Sequence, residues 1–217
     1  MDVYEAIEKR RTIRNFKQGI SEDQLRKLLL AGVKAPSGSN VQPWEFIIID
    51  DSKIIQQIAE CKYRQTLKMR IDQMVLDDPG IIENICEQTL EPISLQRTME
   101  QQKNNYLNTT VIAVCNKKGH GIGRKPWMNI ENIASIWMCI ENMALAATAD
   151  GLGIQISILR EENQIAIEKL LDIPEDYELA TMVLIGVKEE EPGERRGGVR
   201  PAFSWLHKNR FGNFATL

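Results

Sequence analysis

Residues 36–44 read Pro-Ser-Gly-Ser-Asn-Val-Gln-Pro-Trp, and residues 45–50 continue directly as Glu-Phe-Ile-Ile-Ile-Asp. The second part is a short apolar run with β-branched residues, which predicts a strand in the interior of a sheet. The first part sets hydroxyl and amide side chains between two prolines, and Gly38 leaves room for a ligand to approach closely. Because open sheets bind ligands near the ends of their strands, this junction indicates a binding site. An ordinary loop that satisfies its own backbone is the alternative.

A basic cluster, Arg-Arg-Thr-Ile-Arg at residues 10–14, precedes this junction. Arg10 and Arg14 are four residues apart, so a helix continued through the cluster would project both from one face. Guanidinium groups match phosphate oxygens bidentately, which predicts that the cluster holds the phosphate of a planar, polar cofactor. A solvated basic helix end is the alternative. Residues 195–200 form a second basic patch, which is either a flexible tail or a cover for the same phosphate.

Composition indicates an ordinary folded domain. The chain has 217 residues, of which 43% are hydrophobic and 26% are charged. These values are typical of a globular protein, and the length suits one core, so we predict a single domain over residues 1–217. The net charge of -3 argues against a nucleic-acid partner or a membrane surface.

No apolar signal core occurs at the N-terminus, and no run reaches the roughly 18 apolar residues of a membrane span. We therefore expect a cytoplasmic protein with no membrane partner. The four cysteines include no Cys-x-x-Cys pair, and with only two histidines the spacing offers no zinc site, so no metal is expected. Cys115 and Cys139 lie in apolar segments, which indicates inert buried thiols.

Periodicity predicts helices and strands that interleave along the chain. The predicted helices are 2–11, 21–32, 52–60, 129–149 and 161–171, and the predicted strands are 45–50, 110–115, 154–159 and 178–187. Ser21 is expected to cap the second helix and Ser52 the third, while Gly151 ends the fourth. The pattern favours an α/β or α+β fold with a central sheet.

Four segments carry further predictions. The helix over 129–149 is the longest predicted, and it is apolar around nearly its whole circumference. It must therefore be buried on all sides, inside one subunit or between two, which favours a homodimer. Residues 61–105 are interpreted as irregular surface helices and a possible lid. Residues 116–125 are predicted to form a mobile basic loop, and residues 189–217 a C-terminal arm.

Four motifs, in this order along the chain, resemble the nitroreductase family of flavin enzymes. They are Arg-Arg-Thr-Ile-Arg-Asn-Phe at 10–16, Ala-Pro-Ser-Gly-Ser-Asn-Val-Gln-Pro-Trp-Glu-Phe-Ile-Ile-Ile at 35–49, Ala-Asp-Gly-Leu-Gly at 149–153, and Arg-Pro…His-Lys-Asn-Arg-Phe-Gly at 200–212. The resemblance implies an α+β, nitroreductase-like fold: a central mixed β-sheet flanked by helices, in an intertwined homodimer. It also implies one FMN in each of two sites at the dimer interface.

The resemblance assigns cofactor-binding roles by position. It implies that the FMN phosphate binds Arg10, Arg11, Thr12 and either Arg196 or Arg200, and that Arg14 lies at the pyrimidine edge of the flavin. A loop from the partner subunit would contact the ring and the ribityl chain, namely Pro36, Ser37, Gly38, Ser39 and Asn40. The flavin face would be covered by Gln155, Ile156 and Ser157. A cation at Arg14 would stabilise the negative charge of reduced flavin. One backbone N–H of 155–157 would point at the flavin N5 atom.

The implied function is an FMN-dependent oxidoreductase. It would transfer hydride from NADH or NADPH, through flavin N5, to an electron-poor acceptor such as a nitroaromatic or a quinone, in a ping-pong cycle. Because the flavin carries the chemistry, no catalytic side chain is expected. The alternatives are a specialised flavin reductase or flavin-processing enzyme of the same fold, and a non-catalytic flavin-binding protein. Residues 61–105 match no pattern, so the motifs do not indicate the substrate.

Overall fold

The computed structural model describes residues 1–77, 93–118, 126–192 and 205–213. Helices and strands alternate through these residues, as expected for the fold class. In chain order they are α1 (Val3–Lys9), β1 (Phe16–Gln18), α2 (Glu22–Gly32), β2 (Trp44–Ile49), α3 (Ser52–Asp77), α4 (Ile93–Leu107), β3 (Thr110–Lys117), α5 (Pro126–Ala149), β4 (Gly153–Ser157), α6 (Glu161–Leu170) and β5 (Tyr177–Lys188). A single 3₁₀ turn at Gly38–Asn40 precedes β2.

The strands form one sheet in which β5 is central. It pairs with β3, with β4 and, at its end, with β1, while β2 pairs with β3. These pairs are all antiparallel, and the parallel component of the expected mixed sheet is an isolated bridge between Thr12 and Ile154. The four predicted strands are confirmed, whereas β1 was not predicted. The prediction that 45–50 is an interior strand is wrong, because β2 has only β3 beside it among the described strands and Ile48 is 40% exposed.

Helices cover both faces of the sheet. On β3, Ile112 and Val114 pack against α5 and α2, whereas Val111 and Ala113 pack against α3, α4 and α6. Successive side chains of a strand point to opposite faces, so a strand between two helical layers must be apolar throughout. This explains the continuous apolar runs that made β3 and β5 recognisable.

Local capping sets several helix ends. Ser21 caps α2, as predicted, and the Gln24 side chain accepts in turn from the Ser21 N–H, which completes a reciprocal capping box. Gly151 has a φ of +75° and ends α5, as predicted, with the Leu152 N–H bonded to the Ala147 C=O at 2.8 Å. The expected cap at Ser52 is wrong. Asp51 caps α3 instead, since its carboxylate accepts from the Lys53 N–H at 2.7 Å.

The described parts of the segment 61–105 are regular helices rather than irregular ones. Helix α3 continues to Asp77, and its 26 residues exceed the 24 of α5, so the expectation that α5 is the longest helix is wrong. It packs along α4 and α6. Residues 78–92 of the predicted lid, and 119–125 of the predicted basic loop, lie outside the described residues.

Helix α5 is buried on one side only within a single chain. Ile136, Ile140 and Met143 are fully buried, while Ile130 is 70% exposed and Met138 41% exposed. Burial on all sides inside one subunit is therefore wrong, and the outer side of α5 stays open to a second surface. None of the described helices is both long enough and apolar enough to cross a bilayer.

Candidate functional site

The arginine cluster is extended rather than helical. Helix α1 ends at Lys9, and the backbone of Arg10 leaves the helical region. The chain then runs beside β4, where the Ile13 N–H bonds to the Ile154 C=O at 3.0 Å. The expectation that Arg10 and Arg14 share a helix face is therefore wrong. Pairing with β4 makes side chains alternate instead, so Ile13 is buried while Thr12 and Arg14 are exposed.

Close packing fixes this cluster on the sheet. A Cβ atom added at Gly153 would lie 2.8 Å from Phe16 Cε1 and 2.9 Å from Ile13 Cγ2. Contacts this short do not occur between real side chains, so glycine at 153 is what lets the cluster approach β4. The position of the arginines thus depends on a residue of the strand they border.

The three arginines differ in their partners. Arg10 forms an ion pair with Glu141 of α5, with Nε and Oε1 3.2 Å apart. Arg11 donates to the backbone C=O of Glu8 at 2.5 Å and to that of Arg10 at 2.9 Å. Within the part of the chain that the structure describes, Arg14 has neither an ion pair nor a hydrogen bond. Arg14 is therefore the exposed guanidinium of the cluster that is open to a ligand.

The outer edge of β4 offers backbone donors next to this cluster. The C=O of Ile154 faces away from β5, toward Ile13, whereas the C=O of Ser157 faces β5 and accepts from Thr181 Oγ1 at 3.2 Å. Alternate residues of a strand present their backbone groups to the same edge, so the N–H of Ile156 points outward, and the next alternate N–H, that of Ile158, comes directly after the last residue of the strand. Neither N–H has a partner among the described residues.

Two of the predicted side chains on β4 are already engaged on the other face of the sheet. Gln155 Oε1 accepts from Asn105 Nδ2 at 3.0 Å. Ser157 is buried, and its Oγ accepts from the Tyr106 hydroxyl at 2.8 Å. Burial raises the pKa of Tyr106, which keeps this donor protonated. In residues 155–157, the groups that remain open to a ligand therefore belong to the backbone and not to these two side chains.

A cavity of about 640 Å³, missed by sequence reasoning, adjoins the arginine cluster. It lies between α4 and the chain just after Arg14. Its lining is Asn15, Phe16, Lys17, Glu100, Gln101, Asn104, Asn105, Asn108 and Glu189. Gln101 Nε2 donates to Asn15 Oδ1 across it. The amides at 101, 104, 105 and 108 follow the i, i+3, i+4, i+7 spacing of one helix face, and that spacing was the available signal.

The loop 36–42 holds its own shape. The Gln42 N–H bonds to Ser37 Oγ at 3.0 Å, and the Asn40 N–H bonds to the Ser37 C=O at 3.0 Å. Ser39, Asn40 and Gln42 have φ values of 50°, 56° and 50°, in the left-handed region that non-glycine residues rarely adopt. Pro36, Gly38, Ser39 and Asn40 are exposed. The loop does satisfy its own backbone, yet it also presents strained, exposed polar groups, as binding loops do.

The structure does not bring this loop and the arginines together within one chain. A Cβ atom at Gly38 would lie 3.2 Å from the Glu131 carboxylate, whereas Arg10 contacts Glu141. Ten residues of α5 separate these two glutamates, which is about 15 Å along the helix axis. Arg196 and Arg200, the other predicted phosphate ligands, lie outside the described residues.

The two buried core thiols are poor nucleophiles. Burial raises the pKa of Cys115 to about 12 and that of Cys139 to about 11, so both stay protonated at neutral pH. The prediction of inert buried thiols is confirmed for these two residues. Within the described ranges no group of three or more metal-ligating side chains occurs.

The fold and site define a class of protein: an α+β domain with a cationic segment and open N–H groups along one strand edge. A model of the nitroreductase family matches residues 7–187, and the chain belongs to that family. Protein DrgA from Synechocystis sp. is 30% identical over 199 residues, which cover 90% of this chain and 89% of that protein. An NADPH-dependent oxidoreductase from Staphylococcus haemolyticus is 24% identical over 98% of this chain and 75% of its own length.

Solved structures share the fold. An iodotyrosine deiodinase crystallised with FMN and 3-iodo-L-tyrosine superposes with a TM-score of 0.66 at 23% identity, covering 91% of this chain and 96% of the other. This likeness confirms the nitroreductase-like α+β fold expected from the motifs.

Proposed function

We propose that this protein binds FMN and transfers hydride from NADH or NADPH to an electron-poor acceptor such as a nitroaromatic or a quinone. The observation that carries the proposal is the arginine cluster lying against β4, with the open Ile156 N–H beside it. Bound FMN would supply the redox chemistry by accepting and releasing electrons in pairs. The chain's own residues would bind the flavin, orient it and adjust its charge environment.

The arginines fit a phosphate and a reduced ring. A guanidinium has five N–H donors, and Arg10 gives one to Glu141, so the others remain to hold a phosphate together with Arg11 and Thr12. Arg14 is exposed and unpaired within the described chain, two residues after Thr12, which bridges to Ile154. A cation there favours negative charge on a flavin ring without moving a proton.

The open edge of β4 fits the rim of a flavin. The N–H groups of Ile156 and Ile158 would donate to ring acceptors and fix the ring's orientation. The amide-lined cavity beside Arg14 offers both donors and acceptors, which suits the alternating polar groups of a pyrimidine edge. Neither Gln155 nor Ser157 needs to release its present side-chain partner for this arrangement.

A second copy of the chain would complete the site. The 36–42 loop and Arg10 contact positions on α5 about 15 Å apart, so one loop would serve the other subunit's flavin. Exposed apolar side chains support pairing of two copies: Ile130 and Met138 on α5, Tyr4 on α1, and Phe211, 94% exposed, in the C-terminal arm. Arg196 or Arg200 of that arm, both outside the described residues, would add to the phosphate contacts.

The direct test is the bound ligand. The purified chain should carry flavin absorbance, release FMN on denaturation, and lose its colour when NADH or NADPH is added without oxygen. A colourless chain that added FMN does not stabilise against heat would refute the proposal.

Arg10→Ala should weaken FMN binding by about 1.5–3 kcal/mol, the value of one charge-assisted hydrogen bond. Titration of FMN into the apoprotein measures this. Arg26→Ala is the control, since Arg26 is exposed on α2 and pairs with Glu22 of the same helix. Equal affinities for the two variants would overturn the phosphate assignment.

Two alternatives make different predictions. A specialised reductase or flavin-processing enzyme is supported by the shared fold of the iodotyrosine deiodinase. A panel of quinones, nitroaromatics, enones and halogenated phenols would reveal it as a strong preference for one class. A non-catalytic flavin-binding protein would hold FMN that neither NADH nor NADPH bleaches.

A further inference from the structure

Helix α3 binds the backbone directly after β4. Lys62 Nζ lies 2.6 Å from the C=O of Ile158. Gln65, which is 6% exposed, donates to the same C=O at 3.5 Å and accepts from the Arg160 N–H at 3.1 Å. The Gln65 Oε1 also accepts from Asn163 Nδ2 at 3.1 Å. These contacts tie the turn after β4 to one turn of α3.

The Lys62 ammonium therefore lies at the far end of the open backbone edge. The N and O atoms of one residue are separated by less than about 3.6 Å, so the Lys62 ammonium is within roughly 6 Å of the Ile158 nitrogen. The Ile156 N–H lies two residues earlier along β4, toward Ile154, where Thr12 and Ile13 of the arginine cluster meet the strand. The open edge thus has a cation at each end, one on the arginine cluster and one on α3.

The charge of Lys62 is poorly compensated. It has no ion pair with an acidic side chain in the described chain, and the contact it makes is to a neutral carbonyl. Burial lowers the pKa of Lys62, which reflects the cost of holding this charge away from water. Lys68, six residues further along α3, differs because it pairs with Glu162 at 3.1 Å and is well exposed.

We infer that Lys62 is a positioning residue for the redox reaction: it fixes the Ile158 end of β4 and biases a ligand on the open edge toward its negatively charged, reduced form. The inference rests on the proposed function, since it concerns the same edge. A unit charge at this separation in a partly buried setting changes an equilibrium by roughly tenfold or more.

A charge series at this position tests the inference on the flavin-loaded, full-length protein. Lys62→Met removes both donor and charge, and Lys62→Arg keeps both. We expect Lys62→Met to shift the flavin midpoint potential to a more negative value and to slow reduction by NADH or NADPH about tenfold, with FMN still bound. Lys62→Arg should restore most of both losses. Lys68→Met, on the same helix, should match the unaltered protein.

Other outcomes would overturn the inference. A merely structural clamp would let Lys62→Met lower stability while leaving the midpoint potential unchanged. An equal shift in Lys68→Met would mean that any charge on α3 has this effect. If Lys62→Met fails to fold, Lys62→Gln keeps a donor without the charge, and an unchanged potential in that variant also refutes the inference.

The two proposals fail in distinguishable ways. Normal flavin reduction in the unaltered protein, with no effect of Lys62→Met or Lys62→Gln, removes the role of Lys62 and leaves the proposed function intact. An unaltered chain that takes up no FMN overturns both.

Discussion

The arginine cluster and the 36–42 loop are both candidate cofactor-binding segments, but they are held in different ways. The cluster borders β4 and is packed so closely that Gly153 has no room for a Cβ atom. The loop is stabilised by its own hydrogen bonds, such as that from the Gln42 N–H to Ser37 Oγ. Near Gly38 its neighbour is the end of a flexible glutamate side chain, Glu131.

This difference has a consequence for the site. A segment fixed on its own sheet can form the inner wall of a site in the same subunit. A loop that is stabilised by its own hydrogen bonds, about 15 Å away along α5, can instead contribute to the site of the other subunit. The predictions below test whether the two segments meet across subunits and how rigidly each is held.

Complementation between two inactive variants should give the largest effect. One variant carries Arg10→Ala and Arg14→Ala, and the other carries Ser39→Pro, which cannot adopt the φ of 50° at that position. In randomly mixed dimers one site in four has both segments intact, so about a quarter of the full activity should return.

Activity is measured after the two variants are unfolded and refolded together, and each variant refolded alone is the control. Recovery no greater than the sum of the controls would mean that both segments act in one subunit.

Substituting one glycine in each segment compares their rigidity. Gly153→Ala should lower the free energy of unfolding by about 1–3 kcal/mol, because Ile13 and Phe16 must move off β4. Gly38→Ala should change it by less than about 0.5 kcal/mol, because the Glu131 carboxylate can turn away. Denaturant unfolding of both variants at equal protein concentration measures the difference. Equal losses would contradict the contrast between the segments.

The last prediction concerns the side of β4 that faces the core, where no effect on FMN binding is expected. Tyr106→Phe should reduce stability by about 1–2 kcal/mol, because Ser157 Oγ loses its donor in a buried place. FMN affinity should not change, since the Ser157 side chain points away from the open edge. Ser157→Ala and the double variant complete a cycle that isolates the pair. A loss of FMN affinity in Tyr106→Phe would indicate that the Ser157 side chain does contact the ligand.

Local sequence signals predicted the features that depend on local chemistry. The Ser21 cap and the glycine stop at Gly151 need only a few neighbouring residues, and both are confirmed. The apolar runs of β3 and β5 were equally readable, since helices cover them on both faces. Periodicity cannot tell an edge strand from a central one, which is why β2 was misplaced.

Features that depend on distant contacts could not be predicted in this way. The i, i+4 spacing of Arg10 and Arg14 suggested a helix, but pairing with Ile154, far along the chain, draws the segment out. Helix α3 is stabilised by packing against α4 and α6, so its weakly amphipathic sequence gave little indication of its length. The amide face of α4 was visible as spacing, but only the fold shows that it meets Asn15 at a cavity.

The left-handed residues of the 36–42 loop have a kinetic consequence. Each non-glycine residue in that region costs about 1 kcal/mol or more, and folding meets this cost before any ligand or second chain arrives. A loop already in its final shape loses little conformational freedom on association. In the proposed dimer, the rate of subunit association would then be limited by diffusion and mutual orientation rather than by a slow rearrangement of the loop.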